Sequence, residues 1–203
     1  MGICYIVGAG DCEKLDFIKK ESDLLIAADA GYEYIIKNNL QPDIIIGDFD
    51  SFGETPDAEN VVKLNPVKDI TDMHAAVEEG IKRGFRKFML YGAMGGRFDH
   101  SLANIQLTAS LSQKGFSISI ADGERMITAL TDSEITFDSS NKGYISVFSH
   151  TDKSEGVCMK GLKYQLENAT LSNNFALGVS NEFTGEESYV SVKKGTLIII
   201  YNK

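Results

Sequence analysis

Cysteine is scarce in this chain, and tryptophan is absent from it. The three cysteines, Cys4, Cys12 and Cys158, are odd in number and do not have the spacing of zinc ligands. Neither a disulfide framework nor a zinc site is therefore indicated. The N-terminus also lacks the basic leader of a targeting segment. These absences lead us to expect a reducing, cytoplasmic setting.

Long apolar runs and an excess of positive charge are also lacking. No apolar stretch approaches the roughly 20 residues of a membrane-spanning helix, so no membrane partner is expected. Lys and Arg number 20 against 29 Asp and Glu, which gives the 203-residue chain a formal charge of -9. This balance argues against nucleic acid and acidic membrane surfaces as partners. A small anionic ligand is compatible with it if a metal neutralises the site.

The sequence changes its pattern near residue 122. Before that point, short continuous apolar runs alternate with helix-length segments, which is typical of a parallel sheet covered by helices. The predicted strands cover residues 3–7, 24–28, 44–46, 88–91 and 116–121. The predicted helices cover residues 11–20, 31–38, 71–83 and 98–114. An apolar stripe along the last of these helices is formed by Phe98, Leu102, Ile105 and Ala109.

After residue 122 the helical period disappears. Short β-rich runs alternate with Gly, Asn and Ser, and residues 193–195 are predicted to close a hairpin between the last two runs. These runs cover residues 135–137, 144–148, 189–192 and 196–201. We therefore predict an α/β fold class, in which a mostly parallel sheet flanked by helices (residues 1–124) precedes a smaller C-terminal β-sandwich (residues 125–203).

Acidic residues and glycines follow the second, third and fourth predicted strands. Asp29 follows the second strand, Asp48 and Asp50 follow the third, and a glycine-rich turn that ends at His100 follows the fourth. Ligands of open parallel sheets bind beyond the carboxyl ends of the strands. These three turns are therefore predicted to meet at one edge of the sheet.

Asp48 and Asp50 are two residues apart on extended backbone, so their carboxylates point to the same side. Like charges at that spacing repel unless a cation lies between them. Hard oxygen ligands favour Mg2+, which binds one or two carboxylates together with substrate phosphates. The alternative is that both are loop carboxylates, one of which caps the next element while the other is solvated.

Residues 68–72 precede and open the predicted helix at 71–83. Asp69 as the N-cap and Asp72 in the first turn would both suit the helix dipole, and this structural explanation is sufficient by itself. The functional alternative makes Asp72 a third metal ligand and Lys68 a clamp on the phosphates that the metal holds.

The turn at residues 92–100 combines flexible glycines with Arg97, Asp99 and His100. Glycines allow close approach to a ligand, and backbone N–H groups ahead of a helix suit phosphate oxygens. Arg97 would neutralise charge that develops on a transferring group. The alternative is a tight strand-to-helix turn in which Asp99 is a first-turn acid and His100 is merely packed, and for His100 we favour packing.

Two familiar phosphate-binding patterns are weak or lacking. Residues 8–10 resemble the start of a dinucleotide fingerprint, but position 13 is Glu13 where a glycine is required. The P-loop pattern does not occur in the sequence, which excludes a P-loop kinase.

Taken together, these segments resemble the thiamine pyrophosphokinase family. The matching stretches are, in order, residues 42–51, 68–72, 92–104, 161–164 and 178–182. The resemblance implies transfer of an intact diphosphate from ATP to the hydroxyethyl group of thiamine, with release of AMP and with Mg2+ as cofactor. It also implies a nucleotide-binding catalytic domain, a thiamine-binding and dimerisation domain after it, and a homodimer that binds thiamine between its subunits.

The resemblance also assigns the catalytic residues. Asp48, Asp50 and Asp72 would hold Mg2+, while Lys68 and Arg97 would bind the phosphates of the nucleotide.

Four further residues are implied to bind substrates. Asp29 would lie at the nucleotide edge, and Asp99 would recognise thiamine together with Ser180 and Asn181 from the partner subunit. The chain departs from the family pattern at Ala30, where a second glycine is common, and at Gln165, where proline is frequent. It also lacks the tryptophan that some members place against thiamine, and Phe175 or Phe183 is the suggested substitute.

Two alternative functions share these features. One is a related diphosphokinase or nucleotidyl transferase with another acceptor. The other is a non-catalytic protein that binds thiamine or a nucleotide.

Overall fold

The computed structural model describes residues 2–12, 14–47, 61–63 and 70–203. The fold is mixed α/β, with a set of parallel strands, few helices and a separate antiparallel sheet. The chain divides into two compact units, Met1–Asn104 with Ile120–Gly123 and Ile105–Ser119 with Glu124–Lys203. No helix within the described ranges is long and apolar enough to cross a membrane.

The first unit contains a parallel sheet. Its strands are β1 (Cys4–Val7), β2 (Leu24–Ala28), β3 (Ile44–Gly47), β4 (Val61–Lys63) and β5 (Lys87–Tyr91). The strands lie in the order β5-β1-β2-β3-β4, and every neighbouring pair is parallel. Every residue of β1, β2 and β3 is buried, which explains why these strands are continuous apolar runs rather than alternating ones.

Three helices occur in the described part of the chain. They are α1 (Gly31–Lys37), α2 (Asp72–Lys82) and α3 (Phe98–Gln113). The predictions for 31–38, 71–83 and 98–114 are thereby confirmed. Helix α2 is capped by Thr71, whose hydroxyl oxygen accepts a hydrogen bond from the backbone N–H of His74 at 3.2 Å. The alternative that made Asp69 the N-cap is therefore wrong, because Thr71 occupies that position.

The second unit contains most of the antiparallel strands. They are β7 (Arg125–Thr131), β8 (Glu134–Phe137), β9 (Tyr144–Ser149), β10 (Lys153–Lys160), β11 (Leu166–Ser172), β12 (Gly178–Glu182), β13 (Ser188–Ser191) and β14 (Thr196–Asn202). Strand β6 (Ser117–Asp122) has residues in both units. Within the second unit, four strands pair in the order β12-β9-β14-β7, and four others form a separate sheet in the order β11-β10-β13-β8.

Both strand sets of the second unit contribute to one hydrophobic core. Ile145, Leu197 and Ile199 come from the first set, while Val157 and Val190 come from the second, and each of these side chains is fully buried. Burial of an aliphatic side chain of this size stabilises the folded state by about 1.5–3 kcal/mol. The two strand sets are therefore held together by apolar contact.

The predicted hairpin through residues 193–195 is wrong. Strand β13 pairs with β8 and β10, whereas β14 pairs with β7 and β9, so the two strands belong to different sheets. The backbone N–H groups of Lys193 and Lys194 donate to the carbonyl of Glu155, and the N–H of Gly195 donates to Asp132 Oδ1. These bonds direct the chain from one sheet into the other.

The predicted helix at residues 11–20 is also wrong, because its described residues, 11–12 and 14–20, contain no helix. Side-chain contacts hold this segment instead. Phe17 stacks on Tyr5 with ring centroids 3.9 Å apart, and Asp16 accepts a hydrogen bond from the Tyr91 hydroxyl at 2.7 Å. Burial and this bond to Asp16 raise the pKa of Tyr91.

The apolar stripe predicted along α3 is wrong in the first two turns of the helix, because its residues there are exposed. Phe98 is 83% exposed and Leu102 is 47% exposed. Ser101 and Asn104 are buried in their place. The reason is that this helix meets a loop with carbonyl groups to satisfy, so hydrogen-bonding side chains occupy the inner face.

Candidate active site

A cavity of about 300 Å3 lies in the first unit, at the carboxyl ends of β1, β2 and β5. The chain starts the sheet at β1, adds β2, β3 and β4 on one side, and then adds β5 on the other. Open α/β sheets bind ligands at the point where the strand order reverses in this way. The cavity lies at that point, and the strand order alone would predict a ligand there.

Backbone hydrogen bonds join the two loops that form the cavity walls. The N–H of Gly8 donates to the Tyr91 carbonyl and that of Gly10 to the Gly92 carbonyl, both at 2.8 Å, and the N–H of Asp11 donates to the Met94 carbonyl at 2.7 Å. A Cβ atom on Gly8 would lie only 2.8 Å from the carbonyl oxygen of Gly92. Glycine is required here because the two backbones are in direct contact.

Helix α3 anchors the second of these loops. Asn104 Nδ2 donates to the carbonyl oxygen of Ala93 at 2.7 Å, and both residues are buried. The Ser101 hydroxyl donates to the carbonyl of Arg97 at 3.3 Å and to that of Gly95 at 3.4 Å. The loop that carries Arg97 is therefore fixed from the side of the helix.

The first turns of two helices border the cavity. Thr71 and Asp72 at the start of α2 line it, as do Arg97 and His100 at the start of α3. Unpaired N–H groups give a helix N-terminus a partial positive charge, which favours anions. Two such ends beside the Arg97 guanidinium make this part of an acidic protein suitable for phosphate groups.

Two of the predicted acidic residues line the same cavity. Asp29 follows β2 in the left-handed region of backbone space, with φ of 51°, and its N–H donates to the Ile46 carbonyl at 2.8 Å. Asp72 is the first residue of α2. The next residue after Asp29, Ala30, has an ordinary right-handed conformation with φ of -61°, so its position does not require the glycine that is common in the family.

Arg97 and Asp99 are bound to each other. Arg97 Nη2 lies 2.7 Å from Asp99 Oδ2, and Arg97 Nε lies 3.3 Å from Asp99 Oδ1. The hydrogen bond from Arg97 lowers the pKa of Asp99, and the same bond raises the pKa of Arg97. Both side chains are mainly exposed. His100 is exposed as well and lines the cavity, so the interpretation of His100 as a packed residue is wrong.

Three predicted residues, Asp48, Asp50 and Lys68, lie outside the described residues. Strand β3 ends at Gly47, one residue before Asp48, and Ile46 in it pairs with Ala28 in the strand that leads to Asp29. Within the described ranges, no three acidic, histidine or cysteine side chains form a group that would hold a metal ion. The predicted metal site depends on two residues beyond those ranges.

The predicted thiamine-binding residues Ser180 and Asn181 lie in β12 of the second unit. Asn181 lines a separate, mainly apolar pocket of about 240 Å3 together with Tyr164, Leu166, Leu177 and Val179, among others. Ser180 is exposed, with φ of 58°. Of the two aromatic residues suggested in place of tryptophan, Phe175 is exposed, whereas Phe183 packs edge-on against Phe137.

Sequence reasoning missed several residues of the first cavity. Gly8 and Gly10 were set aside because Glu13 breaks the dinucleotide pattern, yet both line the cavity. Their position directly after the first buried strand was the usable signal. Thr71 and Asn104 also line it. Their residue types are ordinary for a cap and a helix, and the usable signal was that both lie in stretches that resemble the family, residues 68–72 and 92–104.

Comparison with known proteins identifies both parts of the chain. Residues 15–120 match the family model "Thiamin pyrophosphokinase, catalytic domain", and residues 132–197 match "Thiamin pyrophosphokinase, vitamin B1 binding domain". Thiamine pyrophosphokinase of Bacillus subtilis (strain 168) is 29% identical over 188 residues, covering 89% of this chain and 87% of that protein. Thiamin pyrophosphokinase 1 of Caenorhabditis elegans is 24% identical, covering 86% of this chain and 77% of the relative.

Solved structures agree with these matches. The crystal structure of thiamine pyrophosphokinase from Bacillus subtilis has a TM-score of 0.89 at 27% identity and covers 99% of both chains. That of thiamin pyrophosphokinase from Geobacillus thermodenitrificans has a TM-score of 0.86 at 27% identity, covering 99% of this chain and 97% of the other. Because the catalytic-domain model alone spans more than half of its residues, the chain belongs to the thiamine pyrophosphokinase family.

Proposed function

We propose that this protein transfers the diphosphate group of ATP to the hydroxyl of thiamine, forming thiamine diphosphate and AMP. The observation that carries the proposal is the cavity where β1 and β5 meet, with glycine walls, two helix N-termini and the side chains of Asp29, Asp72 and Arg97. Such an arrangement suits the phosphates of a nucleotide. Membership of the family indicates that thiamine is the acceptor.

The chemical step is an in-line attack. The hydroxyl oxygen of thiamine forms a bond to the β-phosphorus of ATP, and the bond from that phosphorus to the α,β-bridging oxygen breaks, so that AMP leaves with the bridging oxygen. The hydroxyl proton is released to solvent or to a nearby base. Phosphoryl transfer of this type depends mainly on positioning and on stabilisation of charge. Arg97 and Lys68 are proposed to bind the phosphates, and Asp29 to lie at the nucleotide edge.

Asp48, Asp50 and Asp72 are proposed to hold Mg2+. The fit is supported by the oxygen donors at this edge of the sheet: Asp72 lines the cavity, and β3 ends one residue before Asp48. Carboxylate oxygens are the ligands that Mg2+ prefers. When bound, the ion would neutralise charge on the phosphates. The side chain of Asp72 would orient the ion from the start of α2.

The second half of the chain is proposed to be a β-sandwich that binds thiamine and mediates homodimer formation. The apolar core shared by its two strand sets and the match of residues 132–197 to a vitamin B1 binding domain support this proposal. Asp99, together with Ser180 and Asn181 of a second copy, would recognise thiamine. The three free thiols suit a cytoplasmic location.

The direct test is to measure AMP and thiamine diphosphate by chromatography after incubation of the purified protein with ATP and thiamine. Both products are expected in equal amounts, and only when a divalent metal is present. Formation of free pyrophosphate in place of AMP, or binding of thiamine without turnover, would contradict the proposal.

The metal assignment needs a separate variant. Asp72→Asn is expected to lower kcat/KM by about 100-fold or more, because it removes a charged ligand of the ion. Glu78→Gln is the matched control, since this residue lies on the same helix but its carboxylate only approaches His74, at 3.9 Å. Equal activity of the two variants would remove Asp72 from the metal site.

A further inference from the structure

A single residue at the end of β5, Tyr91, binds the segment that follows β1 at two places. Its backbone carbonyl accepts a hydrogen bond from the N–H of Gly8 at 2.8 Å, and its hydroxyl donates to Asp16 Oδ1 at 2.7 Å. Tyr91 is only 5% exposed, whereas Asp16 is exposed and reaches the hydroxyl from the surface. The segment that leaves β1 at Gly8 therefore returns to the end of β5 at Asp16.

Aromatic rings extend this contact on one face of the sheet. Phe17 stacks on Tyr5 at 3.9 Å between ring centroids, and it lies 5.4 Å from the ring of Tyr91. Helix α2 covers the other face, since a Cβ atom on Gly80 would lie 2.7 Å from the ring of Phe88. Side chains alternate along a strand, so Tyr91 points away from α2. The segment after β1 thus covers a face that a helix usually covers in a parallel sheet.

Three backbone N–H groups of this segment are engaged within the protein. Those of Gly8, Gly10 and Asp11 all donate to carbonyl groups of Tyr91 and the loop that follows it. A phosphate-binding loop instead directs such groups at its ligand. A Cβ atom on Gly10 would overlap with the carbonyl oxygen of Met94, so the two backbones are as close as they can be. The contribution of these three residues to the cavity is therefore its shape.

Tyr91 and Asp16 do not line the cavity, although Gly8 and Gly10 do. Any effect of this pair on a ligand must therefore be transmitted through the position of the two glycines. Burial raises the pKa of Tyr91, and the bond to Asp16 raises it further. The hydroxyl thus remains a donor well into alkali, and the bond persists over the range in which activity would be measured.

We infer that Tyr91 and Asp16 are positioning residues, whose hydrogen bond holds the cavity wall at Gly8 and Gly10 against the loop after β5 and so sets the width of the cavity. The inference rests on the proposed function for the identity of the ligand, which is the nucleotide. The position of the wall itself can be tested without a ligand.

Steady-state kinetics provide the first test. Tyr91→Phe retains the ring but removes the donor, and it is expected to raise KM for ATP about fivefold, the effect of one lost hydrogen bond, with kcat and KM for thiamine unchanged. Asp16→Ala is expected to have the same effect. Asp16→Asn retains an acceptor oxygen and should restore a KM for ATP close to that of the wild type. An unchanged KM for ATP in Tyr91→Phe would overturn the inference.

Tyr5→Phe is the matched control. It removes a hydroxyl from the same group of rings, but within the described part of the chain that hydroxyl makes no hydrogen bond. It is expected to leave KM for ATP unchanged. An increase equal to that of Tyr91→Phe would show that the kinetics report general loosening of the rings, which would overturn the inference.

A double variant tests whether the two residues act as a pair. Tyr91→Phe combined with Asp16→Ala is expected to raise KM for ATP no further than the larger of the two single changes, because both remove the same bond. Effects that multiply would mean that each residue acts by a separate route, and they would overturn the inference.

Hydrogen exchange followed by NMR tests the wall without using activity. The amide protons of Gly10 and Asp11 are expected to exchange faster in Tyr91→Phe and not in Tyr5→Phe, while the amide of Ile26 in β2 is unchanged. Unchanged exchange at Gly10 and Asp11, or equal acceleration at Ile26, would overturn the inference. Absence of turnover in the wild type would overturn the proposed function, and the exchange result would still decide whether this pair holds the wall.

Discussion

The guanidinium of Arg97 and the carboxylate of Asp99 form a two-point ion pair across the start of α3, with their closest atoms 2.7 Å apart. The resemblance to the family implies different ligands for these residues, a phosphate for Arg97 and thiamine for Asp99. In the structure each is the other's partner, and both remain mainly exposed. Exposed pairs contribute little to stability, so a phosphate can replace Asp99 as the partner of Arg97 at low cost.

The first prediction concerns the pKa of Asp99. The hydrogen bond from Arg97 holds this pKa below its ordinary value of 3.8. Arg97→Met is therefore expected to raise it toward 3.8, which carboxyl-carbon NMR would measure. A lowered folded-state pKa stabilises the protein above the ordinary value, and the contribution is lost as the pH falls through the folded value. Any contribution of this pair to stability is thus fully present at neutral pH, and its change with pH is confined to acid, below about pH 4.

Arg97→Lys is the control for that titration, since it retains the charge but not the planar fork. It is expected to hold the pKa of Asp99 lower than Arg97→Met does. An identical pKa in the wild type and in Arg97→Met would show that the ion pair is absent in solution.

The second prediction compares two glycines of the cavity loop that have nearly the same positive φ. Gly92 and Gly96 have φ of 56° and 58°, but a Cβ atom on Gly92 would collide with the carbonyl of Gly8, whereas nothing lies within 4 Å at Gly96. Both alanine variants lose about 1–2 kcal/mol through the left-handed conformation. Gly92→Ala is expected to lose a further 1–3 kcal/mol or so through overpacking. Urea unfolding would measure both, and equal losses would contradict the close approach of the two loops.

The third prediction concerns Asn104, which supports the loop that carries Arg97. Asn104→Ala leaves the carbonyl of Ala93 buried without this donor, so the free energy of unfolding is expected to fall by about 1–3 kcal/mol. KM for ATP should rise as well, because Arg97 is no longer held in place.

Asn38→Ala is a suitable comparison for Asn104→Ala. Its side chain also donates to a backbone carbonyl, that of Tyr34 at 2.9 Å, but it lies at the end of α1 and away from the cavity. It is expected to leave KM for ATP unchanged. An equal effect of the two variants on KM would remove the specific role of Asn104.

The fourth prediction concerns the order in which the cysteines react. Burial raises the pKa of Cys4 to about 12 and also raises that of Cys12. Cys4 is buried, whereas Cys12 and Cys158 are both partly exposed. Because the thiolate is the reactive form, iodoacetamide at pH 8 is expected to label the partly exposed Cys12 and Cys158 in the folded protein, and Cys4 only after unfolding. Mass spectrometry of the labelled peptides would give this order, and rapid labelling of Cys4 in the folded protein would contradict it.

The pKa of Cys4 also predicts a loss of stability in alkali. The unfolded chain releases the Cys4 proton near the ordinary pKa of 9.0, while the folded chain retains it to about pH 12. The unfolded state therefore binds fewer protons between these values, and stability falls as the pH rises through them. Urea unfolding across this range would measure the fall, and Cys4→Ala should reduce its slope.

Strands that are buried on both faces were predicted well from the sequence. The apolar runs that became β1, β2, β3 and β5 are buried along nearly their whole length, and short continuous runs of that kind are typical of strands buried on both faces. Helix α2 combines a periodic apolar face with a terminal glycine, so its range was also predicted. In these elements the local sequence and the fold favour the same structure.

Elements stabilised by partners distant in the sequence were predicted poorly. Strand β11 is largely exposed, and the alternation of β10 is interrupted at Gly156, where its pairing with β11 shifts register. Both form because they pair with each other. The loop at residues 193–195 has the composition of a hairpin turn, yet composition does not specify which strand the chain will pair with next.

The sequence by itself determined the family, most of the strands and helices of the α/β half, and the residue types available at the strand ends, because all of these are local patterns or ordered motifs. The tertiary structure decided that β1 lies between β2 and β5, which brings Gly8 and Gly10 to the cavity, and that Tyr91 is bonded to Asp16. Strand order and the partner of a tyrosine hydroxyl depend on which surfaces meet in space. That depends on packing between distant segments, which no local pattern records.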